Sequence, residues 1–324
     1  MNLKVFVIIA VVSCFFSGCK KTNDVSSSIA AIPVSIEIER FDKLFSKVNE
    51  QNLTVLKEDF PFLFPEKYDD TIWLSRASDT IQQEVNKEVL KVFPNLSKEK
   101  KEIESLLQHV KYYFPEITTP RVITITSDVD YQNRIILTEE LLLISLDTYL
   151  GKDHHFYSGI QNYIKNDFSR EHIISDIATM YAKKFVPIPR DRTFVASMIY
   201  YGKELYLKNL FLPEMDAALK MGYTQEELEW VQANEEAIWR HFIEKQLLYS
   251  TEKGLDSRFL FPAPFSKFYL EEIDKEAPDR VGQFIGWNIV KSYMKDNTSI
   301  SVRQLLATDA ETIFNNSNYK PARS

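Results

Sequence analysis

Cysteine is nearly absent from the sequence, and its scarcity excludes several kinds of chemistry. The chain has two cysteines, Cys14 and Cys19, and both lie within its first 19 residues. We interpret Cys14 as part of a cleaved signal sequence and Cys19 as the first residue of the mature chain. On that interpretation no thiol remains for a disulfide bond, a cysteine nucleophile or a zinc site built from thiolates.

Glycine is also scarce, and the glycines present do not form the usual functional patterns. There are 8 glycines among 324 residues, and none is spaced as in a phosphate-binding loop or a dinucleotide-binding turn. The Gly-x-Ser-x-Gly pattern of many serine esterases is absent as well. Basic residues number 39 against 46 acidic ones, without a concentrated basic face. We therefore expect neither nucleotide chemistry nor a nucleic-acid partner.

Long hydrophobic runs are missing too, apart from a short one near the N-terminus. Residues 5–12 are apolar, which is too short for a transmembrane helix of about 20 residues. The small residues Ser17 and Gly18 stand just before Cys19, as in the cleavage site of a lipoprotein signal peptide. The pattern predicts such a signal peptide over residues 1–18. The alternative is an ordinary secretory signal in which the cysteine is incidental.

Cys19 is the residue that we expect to be lipidated. Cleavage before it frees a sulfur and an amine, and acylation of both gives the two or more chains that stable anchoring needs. The protein would then lie on a membrane without crossing it. Lys20 follows the anchor in place of a retention aspartate, so by analogy we expect the outer membrane, facing the periplasm. Residues 19–33 are small and polar, and they predict a flexible, lipidated tether.

Hydrophobic spacing predicts that residues 34–324 form a single, mainly α-helical domain with a small β-sheet, an α+β fold. Strict alternation over residues 34–41 indicates a strand, and so do β-branched or apolar runs over residues 121–126, 134–138 and 141–146. In most of the remaining segments apolar residues return at steps of three and four, as they do in amphipathic helices.

Two predicted helices near the C-terminus carry further signals. Apolar residues line one face of residues 234–250 and of residues 279–295. Gly282 and Gly286 lie one turn apart in the second helix, where missing side chains would let another helix approach closely. Capping boxes, which satisfy free amides at helix N-termini, are predicted at two places: Thr224 to Glu227 and Ser301 to Gln304.

One spacing of histidine and carboxylate suggests metal chemistry. His172 and Asp176 lie four residues apart on a predicted helix, the spacing by which a helix supplies two ligands to zinc. The general base of a zinc peptidase should follow the first ligand, but Ile173 occupies that position. Because the motif is incomplete, we predict no enzymatic activity and no cofactor. The alternative interpretation is a helix with a partly exposed His-Asp pair.

The remaining histidines and the aromatic clusters have simpler interpretations. We expect His154 and His155 on a surface loop, and His241 and Glu244 on the polar face of a helix. Aromatic residues cluster in three places, where they either line a groove for a peptide or glycan or pack in the core: residues 112–114, 200–201 and 259–265.

Six segments, through their order and spacing, carry a family resemblance over nearly the whole mature chain: Ser17-Gly18-Cys19, Ile36-Glu-Ile-Glu-Arg-Phe41, Ile199-Tyr-Tyr-Gly-Lys-Glu-Leu-Tyr206, Asn234-Glu-Glu-Ala-Ile-Trp239, Pro262-Ala-Pro-Phe265 and Gly282-Gln-Phe-Ile-Gly-Trp-Asn-Ile-Val290. In these segments the chain resembles the gliding motility lipoprotein GldB family of Bacteroidetes. The resemblance implies a cell-envelope lipoprotein needed for gliding, a process linked to type IX secretion. It implies no established enzymatic activity.

A more distant similarity concerns a family of predicted zinc-dependent proteases whose first helix carries HExxH. Laid on that pattern, His172 matches the first ligand, Asp176 stands where the second histidine belongs, and Ile173 replaces the base. Glu204 is a candidate third ligand, although it is poorly placed for that role. The similarity implies a degenerate zincin-like architecture, in which a pseudoenzyme keeps the fold and the former substrate groove without the chemistry.

These observations lead to one preferred function and two alternatives. We expect a non-catalytic, membrane-anchored lipoprotein that acts in assembly or as a scaffold, with envelope proteins of the gliding and secretion machinery as partners. The first alternative is a divergent zinc-dependent envelope hydrolase that uses His172, Asp176 and Glu204. The second is a peptide-binding or glycan-binding module built on the aromatic clusters.

Overall fold

A computed structural model describes residues 21–322 of the chain. The predicted signal peptide and Cys19 lie outside the described residues. The strands of the described part are β1 (Ile38–Arg40), β2 (Arg121–Ile125), β3 (Ile135–Leu137) and β4 (Leu141–Ser145). Its helices are α1 (Lys21–Ala30), α2 (Phe41–Phe45), α3 (Leu53–Asp59), α4 (Asp70–Ser78), α5 (Thr80–Val92), α6 (Ser97–Tyr113), α7 (Asn162–Lys165), α8 (His172–Phe185), α9 (Phe194–Phe211), α10 (Ala217–Met221), α11 (Gln225–Ala233), α12 (Glu235–Glu244), α13 (Gly254–Phe259), α14 (Glu271–Asp274), α15 (Val281–Asp296), α16 (Val302–Ala307) and α17 (Ala310–Asn316). Short 3-10 helices occur at Pro61–Leu63, Tyr131–Asn133, Leu146–Thr148 and His155–Tyr157.

The strands form one small mixed sheet in the order β1-β2-β4-β3. β1, β2 and β4 run parallel, and β3 pairs antiparallel to β4 at the edge. β2 and β4 are the central strands and are buried on both faces, which explains their nearly continuous apolar sequences. The prediction of a mainly helical α+β fold is confirmed. The first predicted strand is shorter than expected, because α2 begins directly after Arg40.

Helices cover both faces of the sheet. Side chains of a strand alternate between the two faces, and Ile123 and Leu143 accordingly pack with α2, α3 and α4. Val122, Leu142 and Ile144 point the other way, into a core shared with α5, α6 and α8. A further apolar core lies around α9, α12 and α15. Helices α8 and α9 pack against each other and connect the sheet to this helical part.

Helices α9 and α15 approach each other closely, and glycines make the approach possible. A Cβ atom on Gly286 would overlap the carbonyl oxygen of Met198, and one on Gly202 would lie 2.9 Å from the amide nitrogen of Trp287. The two backbones are therefore in direct contact, as the glycine pair in residues 279–295 predicts. Gly282 meets a different neighbour, because its Cβ would lie 2.8 Å from Leu260 Cδ2. Both capping boxes are also formed as predicted.

The start of the described chain differs from the expected tether over residues 19–33. Residues 21–30 form α1, and Ile29 is buried. Gln108 of α6 donates from Nε2 to the carbonyl oxygen of Ile32, at 2.9 Å. The segment is mostly polar and serine-rich, and its few apolar residues, such as Val25 and Ile29, do not extend into a longer helical pattern. Only the contact with α6 therefore shows this attachment.

The predicted helix over residues 234–250 ends early, at Glu244. Gln246 has φ of 56°, a left-handed conformation that ends the helix. The next residues turn back toward the beginning of α9, where Leu248 and Ser250 accept hydrogen bonds of 2.9 Å from the amides of Val195 and Phe194. The first amides of a helix have no partner inside it, and these carbonyls supply one. None of the helices between residues 21 and 322 is long and apolar enough to cross a bilayer.

Candidate functional site

Helix α8 carries the two side chains that the sequence singles out as metal ligands. His172 is its first residue and Asp176 follows one turn later, so both lie on the same face. Nδ1 of His172 and Oγ of Ser169 form a hydrogen bond of 2.9 Å. Asp176 Oδ2 instead accepts a hydrogen bond of 2.8 Å from the Tyr149 hydroxyl. The two side chains therefore have separate partners.

Asp176 belongs to a group of charges that we call the central polar cluster: Arg134, Tyr149, Asp167 and Asp176. Arg134, immediately before β3, donates to Asp167 through both terminal nitrogens, at 3.1 and 2.6 Å. Its Nε lies 3.0 Å from Asp176 Oδ2, and its guanidinium lies over the rings of Tyr149 and Phe168. One cation is thus shared between two carboxylates.

Burial and the Arg134 charge act in opposite directions on these carboxylates. Burial raises the pKa of Asp176 and outweighs the attraction to Arg134. Burial also favours the neutral form of Asp167, but the hydrogen bonds and the charge of Arg134 hold its pKa below the usual value. Burial disfavours the charged form of Arg134, whereas Asp176 and Asp167 together raise the pKa of the guanidinium. Both carboxylates of the cluster are thus engaged in ion pairs with Arg134.

A cavity of about 750 Å³, the His172 cavity, opens beside the start of α8. Its lining includes Ser169 and His172 on one side, residues 150–154 on another, and Tyr223 and Thr224 between α10 and α11. A cavity of this size can enclose a small molecule or a few residues of a peptide. Burial lowers the pKa of His172, so the imidazole is neutral at pH 7.

The Ser169 and His172 pair lacks the third group of a serine nucleophile system. In such a system an acceptor on the far side of the ring orients the imidazole. Over residues 21–322 the imidazole of His172 makes one hydrogen bond, to Ser169. The nearby carboxylates of Asp167 and Asp176 are bound to Arg134. The contact therefore orders the first turn of α8 and does not activate the serine.

The three suggested metal ligands have different surroundings. Asp176 is held in the central polar cluster, and Glu204 lines a separate cavity between α9 and α10. In the described part of the chain, no three His, Cys, Asp or Glu side chains are grouped so as to hold a metal ion. Ile173, at the position of a general base, is buried in the apolar core. His172, Asp176 and Glu204 thus do not form a ligand set.

Two smaller cavities continue from the His172 cavity, the first adjoining it and the second adjoining the first. The Arg134 cavity, of about 300 Å³, lies against the central polar cluster and shares Gly222 with the His172 cavity. It shares Pro262 and Arg280 with a cavity of about 240 Å³ that we call the Lys208 cavity. The three cavities follow one another around the C-terminal end of α10, and Arg280 forms a wall of two of them.

Arg280 holds the end of α10 to the start of α15. Its side chain donates to the carbonyl oxygens of Met221 at 2.8 Å and Gly222 at 3.0 Å, and Nε donates to Asp279 at 2.8 Å. Its φ of 55° is uncommon for a residue with a side chain. Strained residues of this kind persist where the surroundings fix them, commonly at binding sites.

The other histidines only partly follow the prediction. His155 is exposed, as expected, but His154 is half-buried and lines the His172 cavity. His241 does not lie on a polar face, because its ring packs edge-on against Phe268 at 5.0 Å and its Nε2 is buried without a hydrogen-bond partner. Phe268 comes from a later loop, so the spacing within α12 gives no sign of this contact.

The aromatic clusters divide between core and surface. Phe114 stacks on Phe185 with ring centroids 3.6 Å apart, and Phe259 is fully buried. Phe261, Phe265 and Tyr269 are exposed and follow one another within nine residues of the loop after α13. The clusters therefore contribute buried and half-buried rings to the cores, while this loop presents aromatic side chains to solvent.

Several site residues escape notice in the sequence: Arg134, Tyr149, Asp167, Lys208 and Arg280. One signal was present for Lys208. Helix α9 is apolar nearly all round, and only Lys203, Glu204 and Lys208 in it are charged. A helix of that kind is buried, so its charges must be buried with it. Arg134 and Asp167 are 33 residues apart, and only the fold brings them together.

The buried, neutral His172 predicts a specific dependence of stability on pH. Its pKa is lower in the folded than in the unfolded chain, where it is about 6.5. As the pH falls from 7 to 5, residue 172 takes up a proton at a higher pH in the unfolded chain than in the folded chain. Protonation therefore favours the unfolded chain, and this histidine lowers the free energy of unfolding. We expect His172→Gln to flatten that fall, by at most about 1.4 kcal/mol per pH unit, in urea denaturation. His155→Gln is the exposed control, and equal slopes in both variants would contradict the prediction.

Comparison with known proteins gives one result. No curated protein and no solved structure matches the chain, so the suggested zincin-like architecture stays a prediction. The model of the family described as gliding motility protein GldB matches residues 19–321. This match covers nearly the whole chain and includes α8, α9, α15 and the three cavities. The chain therefore belongs to the gliding motility protein GldB family.

Proposed function

We propose that this protein is a lipid-anchored, non-catalytic component of the cell envelope that serves gliding motility by binding other envelope proteins. The observation that carries the proposal is the family match over residues 19–321. It begins at Cys19, the predicted lipidation site, and leaves out the predicted signal peptide. The function follows from the family, and the anchor follows from the sequence before Cys19.

The anchor assigns the protein to a membrane surface. With two or more acyl chains at Cys19, attachment is stable without a transmembrane helix. We place the protein on the periplasmic face of the outer membrane, because Lys20 stands where an aspartate would favour retention in the inner membrane. From there a folded domain can reach periplasmic parts of the motility and type IX secretion machinery.

The geometry around α8 supports a binding role over a catalytic one. Hydrolysis by a metal-activated water needs a metal with open coordination and a nearby base. Asp176 is tied to Arg134 and Tyr149, and Ile173 replaces the base. The exposed aromatic residues Phe261 and Phe265 supply instead the kind of side chain that anchors protein interfaces. A scaffold or assembly factor needs such a binding surface and no catalytic group.

The lipid anchor gives the direct test. We expect Cys19→Ala in the full chain to leave an unprocessed precursor, to abolish labelling by a palmitate analogue and to abolish colony spreading in a strain that lacks the native gene. The physical reason is that no acyl chain can be attached without the cysteine sulfur. Membrane fractionation, labelling and spreading on agar measure the three effects.

Cys14→Ala is the matched control, since it removes the chain's other cysteine, which lies within the predicted signal peptide. It should be processed, labelled and motile like the wild type. Normal labelling and spreading of Cys19→Ala would contradict the proposal. Stoichiometric zinc in protein stripped with a chelator and reloaded would favour the envelope hydrolase instead.

A further inference from the structure

The Lys208 cavity contains two buried ionisable side chains that have no charged partner among the described residues of the protein. Lys208 is 7% exposed and, over residues 21–322, makes no hydrogen bond or ion pair. Glu204, one turn earlier on α9, is 6% exposed, and its Oε1 has no hydrogen-bond partner. Burying an unpaired charge is expensive. Folding stability therefore does not explain why α9 carries Glu204 and Lys208 one turn apart in the interior.

The neighbouring charges do not supply the missing partners. Asp176 and Asp167 are the acids that act on Lys208 electrostatically, but both are bound to Arg134. Burial lowers the pKa of Lys208 to about 8. The third charge of the helix shows the contrast, since Lys203 donates to the carbonyl oxygens of Leu306 and Thr308 at 3.1 and 2.7 Å.

Glu204 and Lys208 would be expected to neutralise each other, because acid and base four residues apart on a helix commonly pair. No ion pair joins them. Tyr200 contributes a hydrogen bond to the Glu204 carboxyl, while burial raises the pKa of that carboxyl. Both side chains line the Lys208 cavity, and its wall also includes Lys220 and Arg280. Those two cations are already bound, Lys220 to Asn209 Oδ1 at 2.9 Å and Arg280 to Asp279 and two backbone carbonyl oxygens. The cavity thus offers one unpaired ammonium, that of Lys208, and one unpaired carboxyl oxygen, Oε1 of Glu204, with two further positive charges nearby.

The rest of the lining limits the size and polarity of a ligand. The volume of about 240 Å³ equals roughly eight water molecules at about 30 Å³ each. Leu205, Met221, Leu260 and Pro262 contribute apolar surface. A ligand that satisfies all of these groups is small, carries an anionic and a cationic group close together, and has an apolar part.

We propose that the Lys208 cavity binds a zwitterionic α-amino acid with an apolar side chain. The carboxylate lies against the Lys208 ammonium, with Lys220 and Arg280 beside it, and the ammonium group donates to Glu204. The apolar side chain lies against Leu205 and Leu260. This site goes beyond the proposed scaffold role, since it gives the envelope protein a small-molecule ligand that neither its family nor its anchor implies.

The test uses detergent-solubilised full-length protein and three probes of matched shape. L-leucine carries both charged groups, 4-methylpentanoate lacks the ammonium and 3-methylbutylamine lacks the carboxylate. We expect saturable binding of L-leucine in calorimetric titration, with a rise in melting temperature. Each half-ligand should bind at least tenfold more weakly, because it leaves one buried charge unpaired.

Variants distinguish this site from others. Lys208→Met and Glu204→Gln should each weaken L-leucine binding at least tenfold, while Lys184→Met, an exposed neighbour on α8, should not. Lys208→Met removes an unpaired buried charge, so its unliganded melting temperature should equal or exceed that of the wild type, and this shows that it folds. The proposal is overturned if L-leucine does not bind at millimolar concentration, if 4-methylpentanoate or inorganic phosphate binds as well, or if both cavity variants bind normally.

Discussion

Gly286→Ala is expected to lower the free energy of unfolding by at least about 4 kcal/mol, a large part of the roughly 5–15 kcal/mol that stabilises an ordinary domain. The added Cβ would overlap the carbonyl oxygen of Met198. That atom belongs to the backbone of α9 and cannot move aside as a flexible side chain would. The two helices must therefore separate along their contact, which exposes the surrounding apolar core.

Gly159→Ala is the matched control, because nothing lies within 4 Å of a Cβ at that position. It should leave stability nearly unchanged. Chemical denaturation of the purified chain measures both variants, and where Gly286→Ala does not fold, its soluble yield and its resistance to protease report the same loss. Wild-type values for Gly286→Ala would show that α9 and α15 are further apart than described.

The contact has a consequence for the site as well as for stability. Helix α9 carries Glu204 and Lys208, and the residue before α15 is Arg280. The Gly202 and Gly286 contact fixes the distance between these helices, so it also sets the width of the Lys208 cavity. Glycine at these two positions thus positions the charges that line the cavity.

Arg134→Met is expected to destabilise the protein by about 3–5 kcal/mol. The substitution leaves Asp167 and Asp176 without the cation that they share, in a partly buried place where they repel each other. Methionine preserves part of the side-chain volume, so the loss comes from charge more than from packing. Urea denaturation at pH 7 measures the effect, and the loss should shrink at pH 4 as the carboxylates take up protons.

Two further variants separate the causes. Arg240→Met removes an exposed arginine from its pair with Glu236 on α12 and should change stability by less than about 1 kcal/mol. The combination of Arg134→Met, Asp167→Asn and Asp176→Asn removes the uncompensated charges and should recover much of the loss. A triple variant as unstable as Arg134→Met alone would mean that packing around Arg134 is what matters.

The local sequence was enough to predict most of the secondary structure. Residues 121–125 and 141–145 are strands because β-branched and leucine side chains suit positions that are buried on both faces. The boxes at Thr224 and Ser301 form because the groups involved are only three residues apart. The early end of α12 could not be predicted in this way. The carbonyls of Leu248 and Ser250 accept hydrogen bonds from the first amides of α9, which lies more than 50 residues earlier in the chain.

The site was predicted less well than the fold, for the same reason. The i, i+4 spacing placed His172 and Asp176 on one face, but it could not show that Asp176 is bound to Arg134 and Tyr149. The helix alone therefore left a metal site open as an alternative to the preferred prediction of no cofactor. The partners of a buried charge come from any part of the chain, and so they decide its role only once the chain has folded.

The sequence by itself determined the class of fold, the predicted anchor at Cys19, the glycines at which helices approach and the likeness to the gliding motility family. The fold class, the anchor and the glycine pair depend on residues that are neighbours in the chain or one helical turn apart, and the family likeness depends on the order of segments along the chain. The tertiary structure alone decided which charges are paired. It joined Arg134 to Asp167 and Asp176, brought Arg280 to the end of α10, and left Lys208 and Glu204 unpaired in a cavity. Electrostatic interactions depend on distance in space, and distance in space is set by packing.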